Sequence, residues 1–363
     1  MKHLWLSSLI ILTQLISYTE SRAAEDLRSK IGSTFSAPIE YQQHYYFVAT
    51  TGVLYEADLQ FKKVTKLYEG KKQTLGSVLL HHDRLYWGDG LHGDQTSVLH
   101  VYDLKTKKLT KTLDIKGHIE RAPFGLNEQI FIPAGPGGLL SVDEKSLKTL
   151  WQTQVYEGKN LHIDSNLVQD GDQVCGTSVY EVKGVICLNS KTGKVEQLGS
   201  LKRDPKSEIT IANHQIIGFA TDADLVKNKW DIPADLYAYD LVQKKFTLNK
   251  ELRGFNFFAP IISKGEAYVT LSTGDFITVS LKEGRIGFWG EFPEPFINSA
   301  FLKNDQFCAV GIMGKVLCYT KTKSGSAISF EKRLLETVIG KVSLMHDTIV
   351  MPSRTGFALQ SFN

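Results

Sequence analysis

Four stretches of the chain hold side chains able to do chemistry in close company: His118, Glu120 and Arg121; His162 and Asp164; Glu208; and Asn298. Imidazoles beside carboxylates and a guanidinium are the parts of general acid–base catalysis or of an anion site. His118, Arg121, His162 and Asp164 are therefore the catalytic candidates, although no spacing among them fixes a mutual geometry. A second set lies in two polar runs. Trp87-Gly-Asp-Gly-Leu-His-Gly-Asp-Gln95 contains Asp89, His92 and Asp94, and the run from Thr221 to Asp235 contains Asp222, Asp224 and Trp230. Paired aspartates offer the oxygens that Ca²⁺ takes. Neither run matches the D-x-[DN]-x-[DN]-G loop with its distal Glu, so both read as solvated loops, and no metal and no cofactor is expected. Trp87, His92 and Trp230 read instead as contacts for a protein partner, because insertions on a rigid scaffold often carry recognition. The chain has no P-loop, no G-x-S-x-G, no H-E-x-x-H and no G-x-G-x-x-G between a strand and a helix.

The elements that must position these residues are short strands in a repeat. One phrase recurs: a turn, an alternating strand, a short polar residue, then a Lys-rich stretch. It reads Gly52-Val-Leu-Tyr-Glu-Ala-Asp58, Leu99-His-Val-Tyr-Asp103, Gly138-Leu-Leu-Ser-Val-Asp143 and Gly184-Val-Ile-Cys-Leu-Asn189. It continues as Leu236-Tyr-Ala-Tyr-Asp240, Phe276-Ile-Thr-Val-Ser280, Gly314-Lys-Val-Leu-Cys-Tyr-Thr320 and Gly356-Phe-Ala-Leu-Gln-Ser361. The closing polar positions are 45, 40, 46, 51, 40, 40 and 41 residues apart, around the length of about 40–45 of a four-stranded propeller blade. A short acceptor belongs there because it can bond backbone N–H groups of the following turn. The 51-residue spacing is explained by the 221–235 insertion. Helical periodicity is nearly absent, Phe330 to Val338 being its best stretch, and Gly135-Pro-Gly-Gly138 reads as a hairpin turn.

The eighth unit, from Lys341 on, supplies only three strands, while Asp26-Leu-Arg-Ser-Lys-Ile-Gly32 resembles the fourth-strand phrase Lys63-Val-Thr-Lys-Leu-Tyr-Glu-Gly70. The expectation is an all-β, eight-bladed β-propeller of four-stranded antiparallel blades, the last completed by the N-terminal strand; seven blades with irregular ends is the competing count. Radial repetition leaves only short, protected sheet edges.

The four cysteines form two matched pairs, Cys175 with Cys187 and Cys308 with Cys318, each across one hairpin. Facing antiparallel residues have Cβ atoms about 4.5–5.5 Å apart, near bridging distance. A four-thiolate metal site is the alternative, but there is no C-x-x-C and the pairs fall in separated units. Two disulfides imply an oxidising compartment.

The first 23 residues agree with that compartment. Met1-Lys2-His3 is basic, Leu4 to Ile16 is mostly apolar, and Ser21-Arg22-Ala23 puts small residues before a cut at Ala24. This is the layout of a secretory signal peptide; at about 1.5 Å per residue, such a run is too short to cross a core of about 30 Å. Residues 24–363 are then a single propeller domain, periplasmic or secreted, with no transmembrane span and, lacking a Cys at the junction, no lipid anchor. Lys and Arg total 42 against 39 Asp and Glu, a net charge of +3, too small a surplus to argue for nucleic acid.

Phrases such as Gly52-Val-Leu-Tyr-Glu-Ala-Asp58 and Asn189-Ser-Lys-Thr-Gly-Lys-Val195, with Trp151 and Trp289 at blade ends, resemble the repeat of the pyrroloquinoline-quinone-type (PQQ-like) propellers. That superfamily includes quinone-dependent dehydrogenases and the non-enzymatic BamB-like scaffolds of outer-membrane protein assembly, which have eight blades. The dehydrogenases carry a vicinal Cys–Cys disulfide over the cofactor, and this chain has no adjacent cysteines. The resemblance thus implies the scaffold branch: a monomeric, cofactor-free propeller that binds another envelope or secreted protein. The alternatives are a periplasmic enzyme, either a quinone-dependent oxidoreductase or a hydrolase or lyase working at the channel mouth, and a carbohydrate-binding propeller.

Overall fold

The structure, a computed structural model, describes residues 31–75, 77–223, 229–295, 298–323, 325–334 and 336–362. Its elements are strands, gathered into eight successive antiparallel sheets whose strand order is the chain order. We number these sheets blades 1 to 8: residues 39–69, 79–116, 124–153, 168–200, 210–252, 261–291, 301–333 and 343–361. The protein is an eight-bladed β-propeller. Blades 1 to 7 have four strands; blade 8 has three among the described residues, Ser343–Met345, Thr348–Ser353 and Gly356–Ser361. An extra hairpin, Val155–Tyr156 with Lys159–Asn160, stands between blades 3 and 4.

Burial explains the composition of each strand. The second and third strands, such as His44–Val48 and Val53–Asp58, are buried almost throughout because neighbouring blades cover both of their faces. They therefore read as apolar runs, and the clean alternation of a half-exposed sheet is lost in them. The fourth strands lie outermost and mostly exposed, as in Lys108–Lys116 and Gly325–Arg333; their lysines blunt an edge that would otherwise recruit further strands. In all seven four-stranded blades the register slips once between the third and fourth strands, for example at Leu54/Tyr55 and Cys187/Leu188, a bulge that increases local twist.

The repeated polar residue acts as its chemistry suggests. Asp58, Asp103, Asp143, Asn189 and Asp240 accept backbone N–H groups of the turns that follow them, and Ser280 accepts from Glu283. Thr320 departs from the pattern: the blade 7 hairpin runs on to Thr322 and Gly325, so Thr320 pairs with Ala327 inside the ladder. The helical stretch suggested at Phe330 to Val338 is also corrected, since Phe330 to Arg333 belong to the strand Gly325–Arg333. The strand's pairing with Lys315–Thr322 overrides a weak local period.

The apolar core is divided into eight clusters, one at each interface between blades. The cluster joining blades 8 and 1 packs Val350 and Phe357 against Tyr45, Phe47, Tyr55 and Ile31. Phe47 and Phe357 meet edge to face at 4.8 Å. Thr34 N–H donates to Ser353 O at 3.0 Å, Lys341 N–H to Phe35 O at 3.1 Å, and His346 Nε2 lies 3.1 Å from Glu40 Oε2. The ring is thus closed between its first and last blades. Of the expected closing strand, residues 26–30 lie outside the described residues.

Cys175 faces Cys187 and Cys308 faces Cys318 in the strand registers. Both pairs are disulfide-bonded, wholly buried, with Cα atoms 4.1 and 4.0 Å apart.

Candidate functional site

Because every blade is a four-stranded meander, connections between its second and third strands emerge on the same face as the links from one blade to the next. Two of those links carry the same tripeptide pattern: His118-Ile119-Glu120 after blade 2 and His162-Ile163-Asp164 after blade 3. Ile163 forms single bridges to Gly135 on one side and Ser178 on the other. The segment is therefore extended, so alternate side chains share a face. Ile163 goes into the core, 1% exposed, while His162 and Asp164 turn to the mouth of the channel. Ile119 is likewise fully buried.

The four residues proposed for catalysis come together at this mouth. His118 Nε2 lies 3.1 Å from Asp164 Oδ1, and His162 Nε2 lies 3.0 Å from Asp164 Oδ2. Arg121 donates from Nε to the Asp164 carbonyl at 3.1 Å. His92, expected to serve a partner protein, belongs to the same group. The loop 89–95 between the second and third strands of blade 2 folds over the mouth. It brings the His92 ring to 5.2 Å from His118 and 5.8 Å from His162, with His92 Nδ1 4.0 Å from Asp164 Oδ2. Its Nε2 meets the hydroxyl of Tyr180 at 3.1 Å. Tyr180, which sequence reasoning missed, sits in the corresponding loop of blade 4, half-exposed, at a left-handed φ of 68°. Gly135 abuts the His118 ring: a Cβ there would lie 2.3 Å from Nε2.

Burial opposes ionisation of both His118 and Asp164, but their pairing wins. The Asp164 hydrogen bond and charge, with the charge of Glu120, raise the His118 imidazole above its ordinary value. The imidazoles of His118 and His162 hold the Asp164 carboxyl well below the usual carboxylate range. Burial first, then the charge of Asp164, raises the Tyr180 phenol.

The other candidates have structural duties. Glu208, nearly buried, bridges Lys341 Nζ at 2.9 Å and Arg121 Nη1 at 3.6 Å, so links after blades 2, 4 and 7 are tied across the mouth. Asn298 is wholly buried; it donates to Val310 O and accepts from Gly340 N–H. Trp87 is corrected as an exposed contact. It is fully buried in the second strand of blade 2, stacked on His100 at 5.0 Å, and inward-facing strand positions are where a large ring is most useful. Trp230 is partly buried against the core shared by blades 5 and 6. Asp89 is spent on Val98 N–H and His100 Nε2, Asp94 caps Leu91 N–H, and Asp224 lies outside the described residues.

Two groups of side chains have the ligand atoms of a metal site close together among the described residues: His92, His118, His162 and Asp164, and His81, His82 and Glu144. The first was legible in part. The His-Ile-Glu and His-Ile-Asp triplets stand one blade period apart, which places them side by side on adjacent blades; the arrival of His92 depends on the path of its loop.

No family model matches the sequence, and no curated protein matches it. The fold does have solved counterparts. The crystal structure of BamB from Moraxella catarrhalis superposes with a TM-score of 0.68 at 11% identity, covering 89% of this chain and 95% of that one. The computationally designed Ika8 protein gives 0.68 at 10% identity, covering 91% and 96%. These likenesses are of fold.

Proposed function

We propose that this chain is an exported propeller that serves as a protein-binding scaffold in a bacterial envelope, with the mouth-side face as its contact surface. The observation that carries the reading is the disposition of that face on a BamB-like ring. It bears the loop 89–95, the described ends of the 221–235 insertion, the extra hairpin, and the exposed apolar side chains of Val155, Tyr180 and Met313, at 53%, 45% and 57%. Exposed apolar groups on otherwise polar loops are the usual anchors of a protein interface. The likeness to BamB over nearly the whole length supports a scaffold. The two disulfides fit an oxidising compartment, and among the described residues no helix is long and apolar enough to cross a membrane. Export would follow from cleavage after residue 23.

A photo-crosslinking residue placed at Met313, and separately at Val242 on the opposite face, tests the reading in the native cell. A discrete adduct from position 313 and none from 242 is expected. Adducts from 242 alone would move the interface to the other face, and none from either would remove the scaffold role.

A further inference from the structure

We propose that His92, His118, His162 and Asp164 bind a divalent transition ion of the borderline class, Zn²⁺ foremost, which fastens the 89–95 loop across the channel mouth. One ligand atom from each of the four lies within 4.8 Å of the others. Three imidazole nitrogens and a carboxylate oxygen suit zinc, copper or nickel and disfavour calcium and magnesium, which take oxygen ligands. Tetrahedral bonds of about 2.0–2.2 Å put ligand atoms roughly 3.3 Å apart. His162 Nε2 and His92 Nδ1 lie 3.0 and 4.0 Å from Asp164 Oδ2, and His118 Nε2 lies 3.1 Å from Asp164 Oδ1, so side-chain rotations that bring the four atoms closer complete the geometry.

Three further features favour an ion over a set of hydrogen bonds. His162 Nε2 is buried and lies 3.0 Å from Asp164 Oδ2 without the alignment of a hydrogen bond, the close but misaligned approach of two ligand atoms. Three imidazoles converge on one carboxylate, and one divalent ion accepts the three neutral imidazoles and the carboxylate together. The surroundings also hold the ligands in place. The Tyr180 hydroxyl on His92 Nε2 fixes that ring and leaves Nδ1 free to ligate, the arrangement that ligand histidines favour. Gly135 permits the close approach of His118, and the bridges of Ile163 fix the segment carrying His162 and Asp164. The second cluster lacks these properties: Glu144 accepts from His82 and Tyr86 and faces Arg84 at 3.6 Å, and His81 Nε2 is engaged by the Asn127 carbonyl at 2.9 Å.

The ligands come from three separate stretches: the loop of blade 2 and the links after blades 2 and 3. The ion would therefore staple the loop to the ring. The proposal stands on the mouth geometry alone, and the outcome of the crosslinking experiment leaves it untouched.

The test uses the purified chain stripped with a chelator and titrated with Zn²⁺ against a chromophoric competitor. One equivalent should bind, with affinity reduced by about 100-fold or more in His92→Ala and in His162→Ala and unchanged in His82→Ala. Co²⁺ in the same site should give the intense visible bands of a tetrahedral ion, and Zn²⁺ should slow proteolysis within residues 89–95 of the wild type but not of His92→Ala. Buried His118 is a poor choice for substitution; His92, 55% exposed, can be removed with the fold intact. Absence of stoichiometric uptake would overturn the proposal, as would uptake that His92→Ala and His162→Ala leave unchanged.

Discussion

Glu208 ties three of the blade-to-blade links together. It is 8% exposed and lies between Arg121 and Lys341, which come from the links after blades 2 and 7. Removing its carboxylate strands a guanidinium and an ammonium, but Lys341 is 46% exposed and water screens its share. Glu208→Ala should therefore cost about 1–2 kcal/mol in urea unfolding, and Lys341→Ala under about 1. Equal losses would mean that the bridge behaves as an ordinary surface pair. Tyr180 is expected to act through His92. Tyr180→Phe keeps the ring and deletes the hydroxyl, so it should weaken Zn²⁺ binding about 10-fold while leaving the melting temperature of the metal-free protein unchanged. A fall in that temperature would assign Tyr180 a packing role.

At the scale of the element, the hairpin is the unit that both stabilises and displays. The disulfides close loops of 12 and 10 residues between strands already in register. Replacing Cys175 and Cys187 together with Ala, or Cys308 and Cys318, should cost about 2–3 kcal/mol each, read as a shift of the urea midpoint. A loss below about 0.5 would show that the ladder by itself restrains the unfolded hairpin. The blade 2 hairpin divides its labour. Trp87 packs in the core and its truncation to Ala should cost about 3–5 kcal/mol, whereas the loop beyond it carries His92 outward. The pattern Trp87 to Gln95 looks uniform as a string. Position along the strand separates its buried beginning from its displayed tip, and that is why Trp87 and His92, from one short run of sequence, have unrelated roles.

At the scale of the whole molecule, the ring is held shut by ordinary side-chain packing between blades 8 and 1. A double-mutant cycle on Phe47 and Phe357, each to Leu, should give a coupling of about 0.5–1.5 kcal/mol; no coupling would mean that the ring is open there in solution. The eight-blade count was legible because each unit must bury two faces and end in a turn, and residues such as Asp58, Asp143 and Asn189 mark those turns one after another. The cysteine pairing was legible for the same reason, since Cys175–Cys187 and Cys308–Cys318 are partners within a hairpin. Local chemistry, repeated, determines the blade. What lies between blades was decided only by the tertiary structure. Closing the ring sets the links of different blades side by side, and so His118, His162 and Asp164 meet, Arg121 and Lys341 reach the same glutamate, and a loop from blade 2 adds His92 to the group. Contacts between residues tens of positions apart depend on the angle from blade to blade and on the path of a loop, and no short-range preference in the chain encodes either.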